Sequence, residues 1–196
     1  MAVISNGNKE NLRKKALKLR KSISQKTIDN FSVKIANELT KRFDFKNKNI
    51  HLFLPIEKRH EVNTWYLYHL ISSYSKISTS LFDKDQGKWK CISFRNKTEF
   101  TTTAFNVPTP YEFEYSNWEE IDFIIVPLLV FDTKGHRIGY GKGIYDQILE
   151  SIDAKCIKIG VSVFNISEEQ IDSESHDISL NYCQTPFKLY NFNKIV

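Results

Sequence analysis

Ile121-Asp-Phe-Ile-Ile-Val-Pro127 and, four residues on, Asp132-Thr-Lys-Gly-His-Arg-Ile-Gly-Tyr-Gly-Lys-Gly-Ile-Tyr-Asp146 read in order as a strand, a glycine-rich loop and the start of a helix. The apolar run Ile121, Phe123, Ile124, Ile125 and Val126, closed by Pro127, predicts a buried strand. Tyr145 to Glu150 predicts a helix that turns Ile148 and Leu149 inward. Four of the seven glycines fall between Gly135 and Gly143, alternating with basic and aromatic side chains. A residue without Cβ takes positive φ and lets backbone approach a ligand, so this run offers amide N–H groups to an anion. Arg137 and Lys142 add positive charge at the same place, and the simplest matching ligand is a polyphosphate. A tight structural connection is the alternative reading of the same spacing. The loop is neither a P-loop, since Gly143 follows Lys142 where a hydroxyl is needed, nor a dinucleotide fingerprint, since its glycines run Gly139-x-Gly141-x-Gly143.

Around this segment the chain alternates helices with short apolar strands. Lys9 to about Lys21 predicts a helix with Leu12, Ala16 and Leu19 on one stripe. Lys9 and Arg13, four apart, project from one side of it and can converge on one anion. Ser24 predicts the cap of a second helix carrying Ile28, Phe31, Ile35 and Leu39. His51 to Pro55 predicts a short buried strand, and Glu61 then falls just beyond a strand's carboxyl end, where open α/β sheets place binding residues. As a residue at a helix start, Glu61 has a purely structural reading as well. Asn63 or Thr64 predicts the cap of a helix with Trp65, Leu67, Leu70 and Ile71. Lys76 to Phe82 and Lys88 to Phe94 predict a hairpin. The stretch Asn106-Val-Pro-Thr-Pro110 predicts an extended path beside Tyr111, Phe113 and Tyr115, aromatics that either line a flat-ring pocket or simply pack. Cys156 to Val163 predicts a further strand, Glu168 to Ile171 a helical turn, Ser175 to Asn181 a loop, and Phe187 to Val196 a final extended segment. The order implies an α/β fold, a single three-layer domain over residues 1–196.

Composition bounds the function. The 196 residues are 41% hydrophobic, enough for one buried core. No apolar run approaches the roughly 18 residues of a membrane span, and the first residues lack a signal-like apolar region, so a soluble cytoplasmic protein without a membrane partner is expected. Cys91, Cys156 and Cys183 are too scattered for a disulfide framework or a zinc cluster and read as inert thiols. Much of the net charge of +5 sits in the first 22 residues, where Lys9, Arg13, Lys14, Lys15, Lys18, Arg20 and Lys21 face Glu10 alone. Such a run tracks nucleic acid when aromatics interleave it. Here they do not, so a solvated basic face is expected and a nucleic-acid partner is not.

Taken together, these motifs resemble the 5-formyltetrahydrofolate cyclo-ligases, also called 5,10-methenyltetrahydrofolate synthetases, over nearly the whole chain. Ile125 to Asp146 is similar to the family signature of a strand, Phe-Asp, then Gly-x-Arg-Leu-Gly-x-Gly-x-Gly-Tyr-Tyr-Asp. Lys9-Glu-Asn-Leu-Arg13 is similar to its N-terminal Lys-x-x-Leu-Arg, Pro55 to Glu61 to its Pro-x-x-x-x-Glu region, and Ser175-His-Asp-Ile178 to its His-Asp segment. The resemblance implies a fold like the ribose-phosphate isomerase and CoA-transferase group. It also implies a reaction in which ATP and 5-formyltetrahydrofolate give 5,10-methenyltetrahydrofolate, ADP and phosphate with Mg²⁺, on a protein expected to be a monomer. By the same resemblance Lys9, Arg13, Arg137, Ile138, Gly139, Tyr140, Gly141, Lys142, Gly143, Ile144 and Tyr145 would hold ATP. Ile56, Glu61 and the run Tyr140, Gly141, Lys142, Gly143 and Ile144 would contact the folate. Asp146 and Asp177 would serve the metal, and Arg137, Lys142 and Tyr145 would be catalytic. Three departures stand out: Ile144 where the family has tyrosine, Thr109 where it has a glutamate, and Asn181 where it has an aspartate. An ATP-dependent ligase acting on another formamide or carboxylate, and a basic RNA-binding protein, are the alternatives.

Overall fold

Helices begin where the sequence supplies a cap. Asn8 accepts from the Asn11 N–H at 3.0 Å and opens α1, Lys9–Ser22, while Ser24 accepts from Thr27 at 3.2 Å and opens α2, Gln25–Arg42. In this computed structural model, which describes residues 8–95, 98–102, 107–172 and 177–193, β1 (Asn49–His51), α3 (Trp65–Ile71), β2 (Lys76–Asp83) and β3 (Lys88–Ser93) follow. Next come β4 (Phe100–Thr102), β5 (Pro108–Pro110), β6 (Glu114–Ser116), β7 (Phe123–Pro127), β8 (Val130–Phe131) and β9 (Arg137–Ile138). The described chain ends with α4 (Ile144–Glu150), β10 (Ile157–Val161), β11 (Tyr182–Gln184) and β12 (Leu189–Asn191).

Eight strands form one mixed sheet in the order β12-β11-β10-β7-β1-β2-β3-β6. Its middle, from β11 to β2, is parallel, and β12, β3 and β6 are antiparallel additions. β1 pairs in parallel with β2 on one side and β7 on the other, so the chain moves outward from β1 to β2 and later returns to start again at β7. Connections then leave β1 and β7 in opposite directions and open a crevice at their carboxyl ends.

β7 shows how the sheet sits between two apolar layers. Phe123 and Ile125 join the cluster of Leu12, Ala16, Ile28, Ile35, Leu39 and Ile71 from the first three helices, while Ile124 and Val126 join Ile148 and Leu149 of α4. Helices therefore cover both faces. Truncating one of the fully buried members, such as Leu39 to alanine, costs about 2–5 kcal/mol. The three cysteines are buried and free, as expected of inert thiols, and burial pushes the Cys91 and Cys156 pKa values up to about 11 and about 12. Among the described residues no helix is long and apolar enough to cross a membrane.

Four local expectations need correction. The buried stripe of α1 runs Leu12, Ala16, Arg20, and Leu19 is turned outward. In α3 Tyr68 is buried in place of Leu70. Glu168 to Ile171 forms no helical turn, because its backbone is taken by neighbours: Glu169 N–H donates to the Ser167 hydroxyl at 3.2 Å and Ile171 N–H to the Asp132 carboxylate at 2.9 Å. The expected final extended segment supplies β12, but it is one arm of a hairpin with the unexpected β11, since Thr185 N–H donates to the Lys188 carbonyl and Lys188 N–H to the Thr185 hydroxyl across the turn.

Candidate active site

The signature stretch divides into two parts with different duties. Its first part is the hairpin of β8 and β9, whose turn is built by Asp132. This fully buried carboxylate accepts from the Lys134 and His136 N–H groups at 2.9 Å each and from Ile171, and it faces His136 Nδ1 at 3.1 Å. Gly135 has φ +78°, and a Cβ there would stand 2.8 Å from the Leu180 carbonyl oxygen, so this glycine serves the turn's packing. For this half of the stretch, the tight-connection reading is the correct one.

The second part, Arg137 to Asp146, forms one wall of a cleft of about 200 Å³ at the carboxyl ends of β1 and β7. Gly141 shows why glycine is needed here: φ is +81°, and a Cβ would lie 3.0 Å from the guanidinium carbon of Arg13. Arg13 Nε donates to the Gly139 carbonyl at 3.0 Å, and on the same side of α1 the Lys9 ammonium meets the Asp177 carboxylate at 3.1 Å. Arg137 donates to the Asp146 carboxylate and to the Ile178 carbonyl. Burial lowers the Arg137 pKa, opposed first by the charge of Asp146 and then by that of Asp177. Lys142 lines the cleft beside them.

Across the cleft, Ile56 and Glu61 follow β1. Glu61 is buried, and its carboxylate accepts from the Ile56 N–H at 2.7 Å. Tyr140 reaches toward it from the loop. Burial, with Glu61 beside it, raises the Tyr140 pKa, and burial likewise raises that of Tyr145, so both are neutral phenols at physiological pH. Among the described residues the buried Tyr145 hydroxyl has no hydrogen-bond partner. Segments as far apart as Lys9 and Asp177, 168 positions, thus supply one site. Lys9, Arg13, Ile56, Glu61, Arg137, Ile138, Gly139, Tyr140, Gly141, Lys142, Gly143, Ile144, Tyr145, Asp146 and Asp177 all line this cleft.

The sequence did not single out several further wall residues. Thr79, Ser80 and Trp89 come from the β2–β3 hairpin, and Arg59 holds its guanidinium 5.0 Å from the centre of the Tyr140 ring. Arg20, behind the loop, is only 2% exposed; the available signal was its spacing, eight residues from Leu12 and four from Ala16 on the buried stripe. His51 in β1 is fully buried, neither ring nitrogen has a partner among the described residues, and burial pushes its pKa down to about 3. Of the departures, Ile144 lies in the cleft, whereas Thr109 is buried in β5 outside it. Asn181 is also outside, spanning from the Lys158 N–H to Asn193 in the sheet. Asn106, Ser175 and His176 fall outside the described residues.

Asp146 and Asp177 are each ion-paired, and among the described residues no group of three or more metal-ligating side chains occurs. Mg²⁺ commonly takes one or two carboxylates together with substrate phosphates. The donor set fits a metal that arrives with a polyphosphate.

Comparison with known proteins matches residues 5–186 to the 5-formyltetrahydrofolate cyclo-ligase family. A 5-formyltetrahydrofolate cyclo-ligase of Mycoplasma genitalium is 38% identical over 68 residues, covering 34% of this chain and 41% of that protein. One from Mycolicibacterium smegmatis is 36% identical over 67 residues, 34% of each. The chain thus spans about two fifths or less of the curated relatives it matches. Solved structures align over far more of the length. A 5,10-methenyltetrahydrofolate synthetase of Aquifex aeolicus superposes with a TM-score of 0.79 at 26% identity, over 95% of this chain and 93% of that one. A 5,10-methenyltetrahydrofolate synthetase of Mycoplasma pneumoniae shares the fold, with a TM-score of 0.69 at 22% identity over 92% and 99%. Since the matched span from residue 5 to residue 186 takes in every element that builds the cleft, the chain belongs to the 5-formyltetrahydrofolate cyclo-ligase family.

Proposed function

We propose that the protein uses ATP to close 5-formyltetrahydrofolate into 5,10-methenyltetrahydrofolate, releasing ADP and phosphate. The observation that carries this reading is the meeting of the α1 cations, the Arg137–Asp146 loop and Glu61 in one cleft. A formamide oxygen is a poor leaving group. Transfer of the terminal phosphoryl group onto it makes it a good one; the neighbouring folate nitrogen then attacks the formyl carbon, and phosphate departs with the oxygen. Such chemistry asks little acid or base work of the protein and much alignment and charge neutralisation.

The side chains divide accordingly. Lys9, Arg13, Arg137 and Lys142 hold the phosphates with the backbone of Ile138 to Tyr145, and Arg137 and Lys142 neutralise charge as the phosphoryl group moves. Tyr145, a neutral phenol with an uncommitted hydroxyl, donates a hydrogen bond to a reacting oxygen. Glu61 accepts from the pterin, and Ile56 and Ile144 flank it with Tyr140, Gly141, Lys142 and Gly143. Asp146 and Asp177 would hold Mg²⁺, which supplies charge compensation to the phosphates. Residues 1–196 are read as one cytoplasmic, monomeric catalytic domain of the ribose-phosphate isomerase-like architecture.

The test is direct. Purified protein with ATP, Mg²⁺ and 5-formyltetrahydrofolate should develop the near-ultraviolet absorbance of the methenyl product with one ADP per product. No absorbance change and no ADP above the enzyme-free control overturns the proposal. Ile144, aliphatic on the folate side, favours one second reading: ATP turnover with another formamide or a carboxylate and none with folates would establish it.

A further inference from the structure

Arg20 lies outside every role assigned so far. It is a charged side chain 2% exposed, and burying a guanidinium costs least where its N–H groups find acceptors; both terminal amino groups do, while Nε has none among the described residues. One amino group donates to the Leu128 carbonyl at 2.7 Å, directly after β7, and the other to the Tyr140 hydroxyl oxygen at 2.6 Å, in the middle of the cleft loop. One side chain on α1 therefore ties the cleft loop to the end of β7. Lysine cannot replace that fork, because it presents a single ammonium in place of two planar donors.

The bond to Tyr140 has a further consequence. A guanidinium only donates, so the phenol oxygen must accept from it, and the phenol has one O–H left to give. Glu61, whose charge helps to raise the pKa of that phenol, lines the same cleft, with one carboxylate oxygen held by the Ile56 N–H at 2.7 Å. The ring is fixed as well, since Arg59 stands 5.0 Å from its centre and Arg20 itself 5.9 Å. A buried cation thus holds the phenol oxygen in the cleft that the buried Glu61 also lines.

We propose that Arg20 is a positioning residue for the folate side of the cleft. By donating to the Tyr140 oxygen it directs the phenol proton at Glu61, which fixes the carboxylate and leaves its remaining lone pairs aimed at the substrate. The inference rests on the cyclo-ligase reading, which supplies the assay.

The experiment compares wild type, R20K, Y140F and R20K/Y140F, each confirmed folded by circular dichroism. The KM for 5-formyltetrahydrofolate and for ATP are measured separately. Losing a hydrogen bond in a charged chain should raise the folate KM about tenfold in each single variant, with the ATP KM changed by no more than about twofold. The double variant should be no worse than the worse single one, because both changes cut the same chain. Losses that multiply in the double variant, or equal rises in both KM values, overturn the proposal. If R20K does not fold, Y140F alone decides, and an unchanged folate KM overturns it. A wild-type protein that forms no methenyl product marks the failure of the cyclo-ligase reading itself, a result distinct from active wild type with additive variants.

Discussion

The guanidinium of Arg137 in β9 is bonded to the carboxylate of Asp146 in α4, nine positions further on. The eight residues between them are the part of the loop that faces the cleft, so the pair clasps that loop at its two ends. Asp146 is more than one-third exposed while Arg137 is nearly enclosed, and the clasp is therefore solvated on its acidic side only.

Arg137→Ala should open this clasp. The Asp146 carboxylate and the Ile178 carbonyl both lose their donor, at a cost of about 1–3 kcal/mol, held to that range by the water that already reaches Asp146. The expected kinetic result is a rise in the ATP KM of tenfold or more, on the scale of about 1.4 kcal/mol per decade, with a smaller change in the folate KM. Equal rises for both substrates would contradict the assignment of Arg137 to the phosphates.

Asp146→Asn tests the metal role with the clasp in place, because the amide oxygen still accepts from Arg137. The Mg²⁺ concentration for half-maximal activity should rise about tenfold or more, the scale on which even outer-shell partners of a metal act. Chelation should abolish wild-type activity. An unchanged Mg²⁺ titration in the variant would remove Asp146 from the metal site.

What the sequence disclosed follows physical lines. β7, α1, α2, α4 and the β2–β3 hairpin were legible because each carries a cap or a sustained apolar pattern that its own residues fix. β8, β9 and β11 were not, being two or three residues long and held by partners from elsewhere: Leu129 N–H on the Ile138 carbonyl, Asn181 N–H on the Lys158 carbonyl. The cleft was legible wherever backbone chemistry needs a particular residue type, as at Gly141. Arg20 was not, because an arginine on a helix is ordinarily solvated, and only the loop packed over α1 turns this one inward. Trp89 and Thr79 became wall residues through the neighbours their strands acquire, which alternation alone does not specify.

Glu61→Gln should keep the Ile56 N–H satisfied while removing the negative charge proposed to face the pterin. We expect the folate KM to rise and kcat to fall, with ATP affinity by calorimetry within about twofold of wild type. Glu61→Ala should add a stability loss of about 1–3 kcal/mol for the stranded Ile56 donor. If both variants bind ATP tenfold more weakly, the division of the cleft into a phosphate side and a folate side is wrong.

Two neighbouring glycines provide an internal control. Gly141→Ala forces a side chain into left-handed φ and against the Arg13 guanidinium, and should cost about 1–2 kcal/mol along with much of the affinity for ATP. At Gly139 an added Cβ meets nothing within 4 Å, and φ is not in the left-handed region. Its alanine variant should unfold within about 0.5 kcal/mol of wild type. Identical unfolding curves for the two variants would show that the conformation at Gly141 is not required.

His51 predicts how stability depends on pH. Its ring is fully buried in β1 against Trp118 and Tyr145, at centroid distances of 5.2 and 6.3 Å, and neither neighbour gains or loses a proton in acid. Burial holds its pKa at about 3, so the folded protein keeps the ring neutral where the unfolded chain, titrating near 6.5, takes up a proton. Stability from this residue is present in full above pH 6.5 and falls as the pH drops toward 3, by up to about 1.4 kcal/mol per pH unit. Other groups titrate in the same range, so the informative quantity is a difference between proteins. His51→Leu removes the titrating ring, and between pH 7 and pH 5 wild type should lose about 2 kcal/mol more unfolding free energy in urea than the variant. Parallel losses in the two proteins would mean that the ring binds a proton in the folded state, and hence that water or a charge reaches it beside Tyr145.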